Sequence, residues 1–157
     1  MELHMRIIPL IIMAAALLIA GCAHTPAKQV PGYSASAGDK AADTAVAMIG
    51  RPYKFTGDTP VGFDCSGLVR YSYLTAGMDL PHGTKALMGI TRSVGLRNAR
   101  RGDLLFFVQE GKKYSHVGIY VGNDQFVHAP STGGKVRTDS ITDRYWKEHY
   151  LDTRRFL

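Results

Sequence analysis

The chain has 157 residues, 45% hydrophobic and 20% charged, with 19 Lys and Arg against 13 Asp and Glu for a formal charge of +6. That length excludes a second sizeable domain, and that composition excludes a disordered or fibrous chain. The basic excess suits an anionic partner such as an acidic wall polymer or lipid; no Lys/Arg-rich run with interleaved aromatics is present, so nucleic acid is not expected.

Residues 1–21 read as an export signal. Arg6 is a short basic start, and Ile7 to Ile19 is apolar apart from Pro9, too short for a comfortable membrane span. The segment ends Leu18-Ile19-Ala20-Gly21-Cys22, which resembles a bacterial lipobox. That resemblance implies lipidation of Cys22, which becomes the mature N-terminus and anchors the chain to a membrane without a spanning helix. Ala23 follows, not the Asp that favours inner-membrane retention, so the expected location is the periplasmic face of the outer membrane of a Gram-negative bacterium. Residues 22–38 are rich in Pro, Ser, Ala and Gly and are expected to be a flexible tether, with His24 solvated in it.

The domain is expected to span residues 39–157. Asp39 is a candidate N-cap for a helix over Lys40 to Ile49, ended by Gly50 and Pro52. A turn-rich loop, Tyr53 to Gly62, leads to Cys65. A helix follows from Ser66 to Ala76, and Thr84 is a candidate cap for a shorter one. After residue 95 the pattern changes to strands. Leu104 to Val108 is apolar on both faces. His116 to Val121 and Gln125 to Ala129 flank a hairpin turn at Gly122-Asn123-Asp124. Lys135 to Arg137 and Leu151 to Phe156 are further strands, with a short helix between them carrying Tyr145, Trp146 and His149. Helices first and hairpin-joined strands afterwards predict an α+β fold with an antiparallel sheet of about five to six strands.

The chain has two cysteines, and lipidation of Cys22 leaves Cys65 without a disulfide partner. A thiol at a helix N-terminus faces unpaired N–H groups and the positive end of the helix dipole, which favour the nucleophilic thiolate. Such a nucleophile needs a base and a group to orient that base. His116 and His128 lie on neighbouring strands, and the hairpin register puts them within about two residues of facing each other. One is expected to be the base and the other its partner. Zinc on the same three residues is the competing use; the spacings match no finger or HExxH pattern, so no metal or other cofactor is expected.

The segment RPYKFTGDTPVGFDCSGLV (51–69) resembles the nucleophile segment of the NlpC-like family of bacterial cell-wall cysteine peptidases, a papain-like group. RRGDLLFF (100–107), HVGIYVGNDQFVHAP (116–130) and YWKEHYLDTRRFL (145–157) match in order and spacing. The resemblance implies a papain-like fold in which Cys65 attacks a stem-peptide carbonyl of peptidoglycan. His116 is then the base and His128 its polar partner. Tyr53 is implied beside the oxyanion site, and Asp64 and Ser66 at positions that contact substrate; Asp64 is also a candidate N-cap. Two departures stand out: Phe55-Thr56-Gly57 where the family often has Trp-Gly-Gly, and Pro81-His82-Gly83-Thr84 where it often has an arginine after the proline. Tyr145 and Trp146 are expected in the core, and Arg154-Arg155 at a solvated strand edge.

The expected function is that of a peptidoglycan endopeptidase, monomeric and cofactor-free, cutting stem-peptide or cross-link bonds next to diaminopimelate through an acyl-enzyme. Two other readings are an amidase cutting the glycan–peptide link and a non-catalytic wall-binding lipoprotein.

Overall fold

The computed structural model describes residues 30–157 apart from Glu110 and Gly133. The export signal, Cys22, His24 and the tether as far as residue 29 lie outside the described residues. Helix α1 is Ala35–Ala47, and a two-strand ribbon of β1 (Asp58–Thr59) and β2 (Gly62–Phe63) follows it. Helix α2 is Cys65–Thr75, α3 is Thr84–Gly89 and β3 is Thr91–Ser93. After a 3-10 turn at Leu96–Asn98 come β4 (Leu104–Gln109), β5 (Lys112–Gly122), β6 (Gln125–His128) and β7 (Arg137–Ser140). Helix α4 (Arg144–His149) and β8 (Tyr150–Phe156) complete the domain. The main sheet has six antiparallel strands in the order β3-β8-β4-β5-β6-β7. The α+β architecture is the expected one.

The alternation along β4 divides the core. Leu104 and Phe106 join the cluster under α1 and α2, with Leu68, Val69, Tyr73, Val117, Ile119 and Val127. Leu105 and Phe107 point to the other face, where they pack with Phe126, Ile141 and Trp146 of α4. A strand buried on both faces reads as a continuous apolar run, which is why Leu104 to Val108 shows no polar alternation. The β5–β6 hairpin turns on Asn123 and Asp124, both left-handed at φ 51° and 58°, the geometry of a two-residue type I′ turn.

Several boundaries differ from expectation. Asp39 is not the cap of α1. Ser34 is, its Oγ accepting from the Ala37 N–H at 3.1 Å, and Asp39 lies inside the helix. The packed domain reaches back to Val30, whose N–H donates to the Leu157 carbonyl at 2.9 Å. Residues 30–38 therefore belong to the domain rather than to a tether. Gly83, not Thr84, precedes α3, and Asp143 precedes α4. Arg154 and Arg155 are not at a solvated edge, because β3 pairs outside β8. Arg155 donates to both oxygens of the buried Asp103 at 2.7 Å, a bidentate charge-assisted pair, and Arg154 is held by Asp152 and Thr91.

Candidate active site

The loop before α2 sets the nucleophile. Asp64 is the N-cap: its Oδ1 accepts from the Gly67 N–H at 2.7 Å and from the Ser66 hydroxyl at 3.0 Å. Cys65 is thereby the first residue of α2. A Cβ at Gly67 falls 1.9 Å from the Gly57 carbonyl oxygen, so only glycine lets the loop ahead of β1 close over the helix start. Thr56 in that loop is left-handed, at φ 56°, a conformation strained for a β-branched residue. It stands where the resemblance expected glycine.

The backbone N–H groups of Val117, Ser66 and Cys65 lie near enough to the Cys65 thiol to favour its thiolate. The first of these belongs to the residue after His116, so the sulfur rests against the strand that carries the expected base. No Cys65–His116 hydrogen bond is formed among the described residues. Such bonds are often long before substrate binds and tighten in the complex.

His116 on β5 and His128 at the end of β6 meet as the hairpin register predicts. Ile119 pairs with Val127, so His128 falls beside Gly118, two residues from His116. A Cβ at Gly118 lies 2.5 Å from the Phe126 ring and 3.2 Å from the His128 Cβ, so glycine here makes room for the second histidine. His116 Nε2 lies 2.8 Å from His128 Nδ1, and His128 Nε2 lies 3.0 Å from Asp139 Oδ2 on β7. Asp139 also accepts from Trp146 Nε1 at 2.8 Å and from Arg137 Nε and Nη2 at 3.1 and 3.0 Å. The carboxylate is acceptor-only, which fixes the protons along the chain. His128 donates from Nε2 to Asp139 and accepts at Nδ1. His116 then donates from Nε2, which leaves its Nδ1 lone pair free for a thiol proton.

Burial lowers His116 from 6.5 to about 3, with His128 and Arg137 adding to the effect and Asp139 opposing it. Burial also lowers His128 to about 4, against the pull of Asp139. Asp139 stays below the carboxylate range: burial would raise it, but the Arg137 and His128 contacts and the Trp146 bond outweigh that. Burial, and then the Asp64 carboxylate, push the Cys65 thiol from 9.0 up to about 11 in spite of the three backbone N–H groups. Desolvation thus opposes the thiolate expected at the helix terminus. It outweighs the helix N-terminus, and both partners favour thiol with neutral imidazole.

The other expected residues divide. Tyr53 is half-buried and near enough that, after burial, the charges of Cys65 and Asp64 raise its hydroxyl pKa. Asp64 caps α2 and also bonds His82 Nε2 at 2.9 Å, so both departures from the family pattern lie around the helix start. Ser66 is buried, and its hydroxyl donates to Asp64. Trp146 is in the core as expected, and it also stacks on His116 with centroids 5.6 Å apart; Tyr145, expected there too, is exposed. His149 bonds the Tyr145 carbonyl and takes no part. Asp139 and Arg137 are the site residues that sequence reasoning missed. The signal available was the Arg-x-Asp spacing one hairpin after His128, which puts the carboxylate diagonally across from it.

Residues 50–155 match the model of the NlpC/P60 family. The chain is 41% identical over 106 residues to the murein DD-endopeptidase/LD-carboxypeptidase MepS of Escherichia coli K12, covering 67% of this chain and 55% of that one. It is 36% identical over 126 residues to a probable endopeptidase NlpC homolog of Haemophilus influenzae, covering 79% and 66%. The crystal structure of the NlpC/p60 domain of the peptidoglycan hydrolase SagA superposes with a TM-score of 0.66 at 33% identity, over 76% of this chain and 98% of that domain. The chain spans about half to two thirds of the length of these curated relatives.

Proposed function

This chain belongs to the NlpC/P60 family, and on that premise we propose that it is a thiol peptidoglycan endopeptidase with Cys65 as nucleophile. One observation carries the reading: the thiol at the start of α2 lies against β5, and the base on β5 is oriented by a continuous relay, His116–His128–Asp139, with links of 2.8 and 3.0 Å. The names of the relatives, murein endopeptidases and a peptidoglycan hydrolase, support the substrate class.

The chemistry follows from the proton inventory. The resting pair is neutral, so the Cys65 proton passes to His116 Nδ1 as sulfur attacks the carbonyl. The positive charge that develops on His116 is shared toward His128 and Asp139. Backbone N–H groups at the start of α2, with the Tyr53 hydroxyl, face the developing oxyanion. The tetrahedral intermediate collapses to a thioester as His116 protonates the leaving amine. Water then attacks the thioester, its proton going to His116, and the acid product leaves with Cys65 again a thiol. The bonds proposed are those next to diaminopimelate, within a stem or in the cross-link. The Leu18–Cys22 run supports a lipid anchor on Cys22 and an outer-membrane location facing the periplasm.

Digestion of purified sacculi, with mass analysis of the fragments, tests the reaction. Loss of cross-linked dimers identifies cross-link cutting, and shortened stems identify cutting within the stem. Released bare glycan would assign an amidase instead. Sacculus binding without fragments would make this a wall-binding protein. The mass of the mature N-terminus tests the anchor.

A further inference from the structure

The chain enters its domain beside a group of unpaired arginines. Val30 is bonded to Leu157 just beyond β8, and the Tyr33 ring lies 6.0 Å from that of Phe156. The same edge of the sheet carries two hollows of about 590 and 360 Å³ that share Arg92, Arg100 and Arg155. Arg97 lines the first and Arg101 the second. Arg155 is held by Asp103 and the Asn98 carbonyl, and Arg101 by Asp43 and the Val121 carbonyl. Arg92, Arg97 and Arg100 are exposed and form no side-chain hydrogen bond or ion pair among the described residues. Asp39 is the only carboxylate lining either hollow among the described residues. Like charges gathered without counter-charges repel, and guanidinium forks pair best with phosphate or carboxylate oxygens.

The sheet order separates this face from the chemistry. β3 and β8 form one side, and β5, β6 and β7 carry His116, His128 and Asp139 on the other. From β3 to β6 is four strand steps, about 19 Å. An anchor ahead of residue 30 therefore brings the arginine face to the bilayer first and leaves the nucleophile side turned away from it.

We propose that the face formed by Arg92, Arg97 and Arg100 binds the phosphate headgroups of anionic phospholipids, docking the domain on the membrane with Cys65 directed outward. The orientation rests on the Cys22 anchor proposed above; headgroup binding does not. Position favours lipid over an acidic wall polymer, because the face adjoins the chain's point of entry and lies far from the proposed substrate site.

The test uses the full chain with Cys22→Ser, so that no acyl group contributes. Its partition is measured into vesicles of phosphatidylcholine alone and of phosphatidylcholine mixed with phosphatidylglycerol. The ratio of the two cancels any contribution from the apolar leader. Each arginine near an anionic surface contributes about fivefold, so Arg92→Gln/Arg97→Gln/Arg100→Gln should lower the ratio about a hundredfold. Arg144→Gln/Lys147→Gln on α4 should leave it within about twofold of the unaltered protein by the same reasoning about distance from the surface. Thermal melting verifies that each variant folds. The proposal is overturned if the triple variant keeps the ratio, if the α4 variant lowers it equally, or if the triple variant loses sacculus binding with its vesicle ratio intact. A mature N-terminus without lipid would remove the anchor reading and leave this measurement standing.

Discussion

Replacing Asp139 separates an oriented relay from a pair of buried histidines. Oδ2 of Asp139 takes donors from three residues, His128, Trp146 and Arg137 (through both Nε and Nη2), whereas Oδ1 takes only Arg137 Nε. In Asp139→Asn the amide oxygen should sit where the donors on Oδ2 converge, and the NH2 in place of Oδ1 gives up the bond from Arg137 Nε. His128 keeps its proton on Nε2, and the His116 lone pair stays aimed at the nucleophile. What is lost is the negative charge, and a decrease of about tenfold in kcat follows from weakening one charge-assisted bond by about 1.4 kcal/mol. In Asp139→Ala no acceptor remains. His128 is free to take either tautomer, and Arg137 is left as an uncompensated cation beside it. Losing a hydrogen bond to a charged group removes about 1.5–3 kcal/mol, so kcat should fall about ten- to a hundredfold or more below the unaltered enzyme, toward the wrong-tautomer limit, with KM little changed. The assay is turnover of a defined muropeptide followed by chromatography, with melting temperatures recorded for each variant. Alanine within about threefold of the unaltered enzyme, or asparagine worse than alanine, would refute the tautomer argument.

Alkylation of Cys65 by iodoacetamide should rise about tenfold per pH unit from neutrality toward the thiol value of about 11; a flat rate between about pH 5 and 8 would mean a thiolate–imidazolium pair instead. Both site histidines are held neutral below 6.5 in the folded protein, so the unfolded chain takes up protons first as pH falls. Their contribution to stability is full above about pH 6.5 and is lost toward about pH 3–4, on the order of 3 kcal/mol for each histidine by pH 4. Urea midpoints should fall accordingly between about pH 7 and 4 and fall less in His128→Gln; an unchanged midpoint contradicts the burial argument. Thr56→Gly should relieve the left-handed strain and stabilise the fold by about 1 kcal/mol, read as a melting temperature higher by roughly 2–4 °C; a lower one would show that the Thr56 side chain holds the loop.

The parts of the site that sequence exposed are those carried by local pattern. Cys65 follows a run of loop punctuation and precedes an apolar helix, and the Asn123-Asp124 turn fixes the register that brings His116 and His128 together. β4 was legible because both its faces are buried. Asp139 was not, because β7 is a polar run, Arg-Thr-Asp-Ser, that draws its order from pairing with β6 rather than from any alternation of its own. β3 is three residues long and exposed at two of them, so it too carries no pattern. The extension of α1 to Ala35 comes from small residues closing on neighbouring backbone: a Cβ at Gly38 meets the Arg101 carbonyl oxygen at 3.0 Å. The direction of the Cys65 shift depends on how deeply α2 and β5 bury the thiol, and burial by tertiary packing leaves no local trace. Arg155 looked like surface because its partner, Asp103, lies 52 residues earlier in the chain.

Nucleophilic attack by Cys65 is the step on which the rest depends. Single-turnover digestion of a cross-linked muropeptide by the unaltered protein and by Cys65→Ala, with sacculus binding measured in parallel, tests it directly. Full product from the unaltered protein and none above the uncatalysed background from Cys65→Ala, with binding equal in both, is the predicted result. Product formed by Cys65→Ala would contradict it.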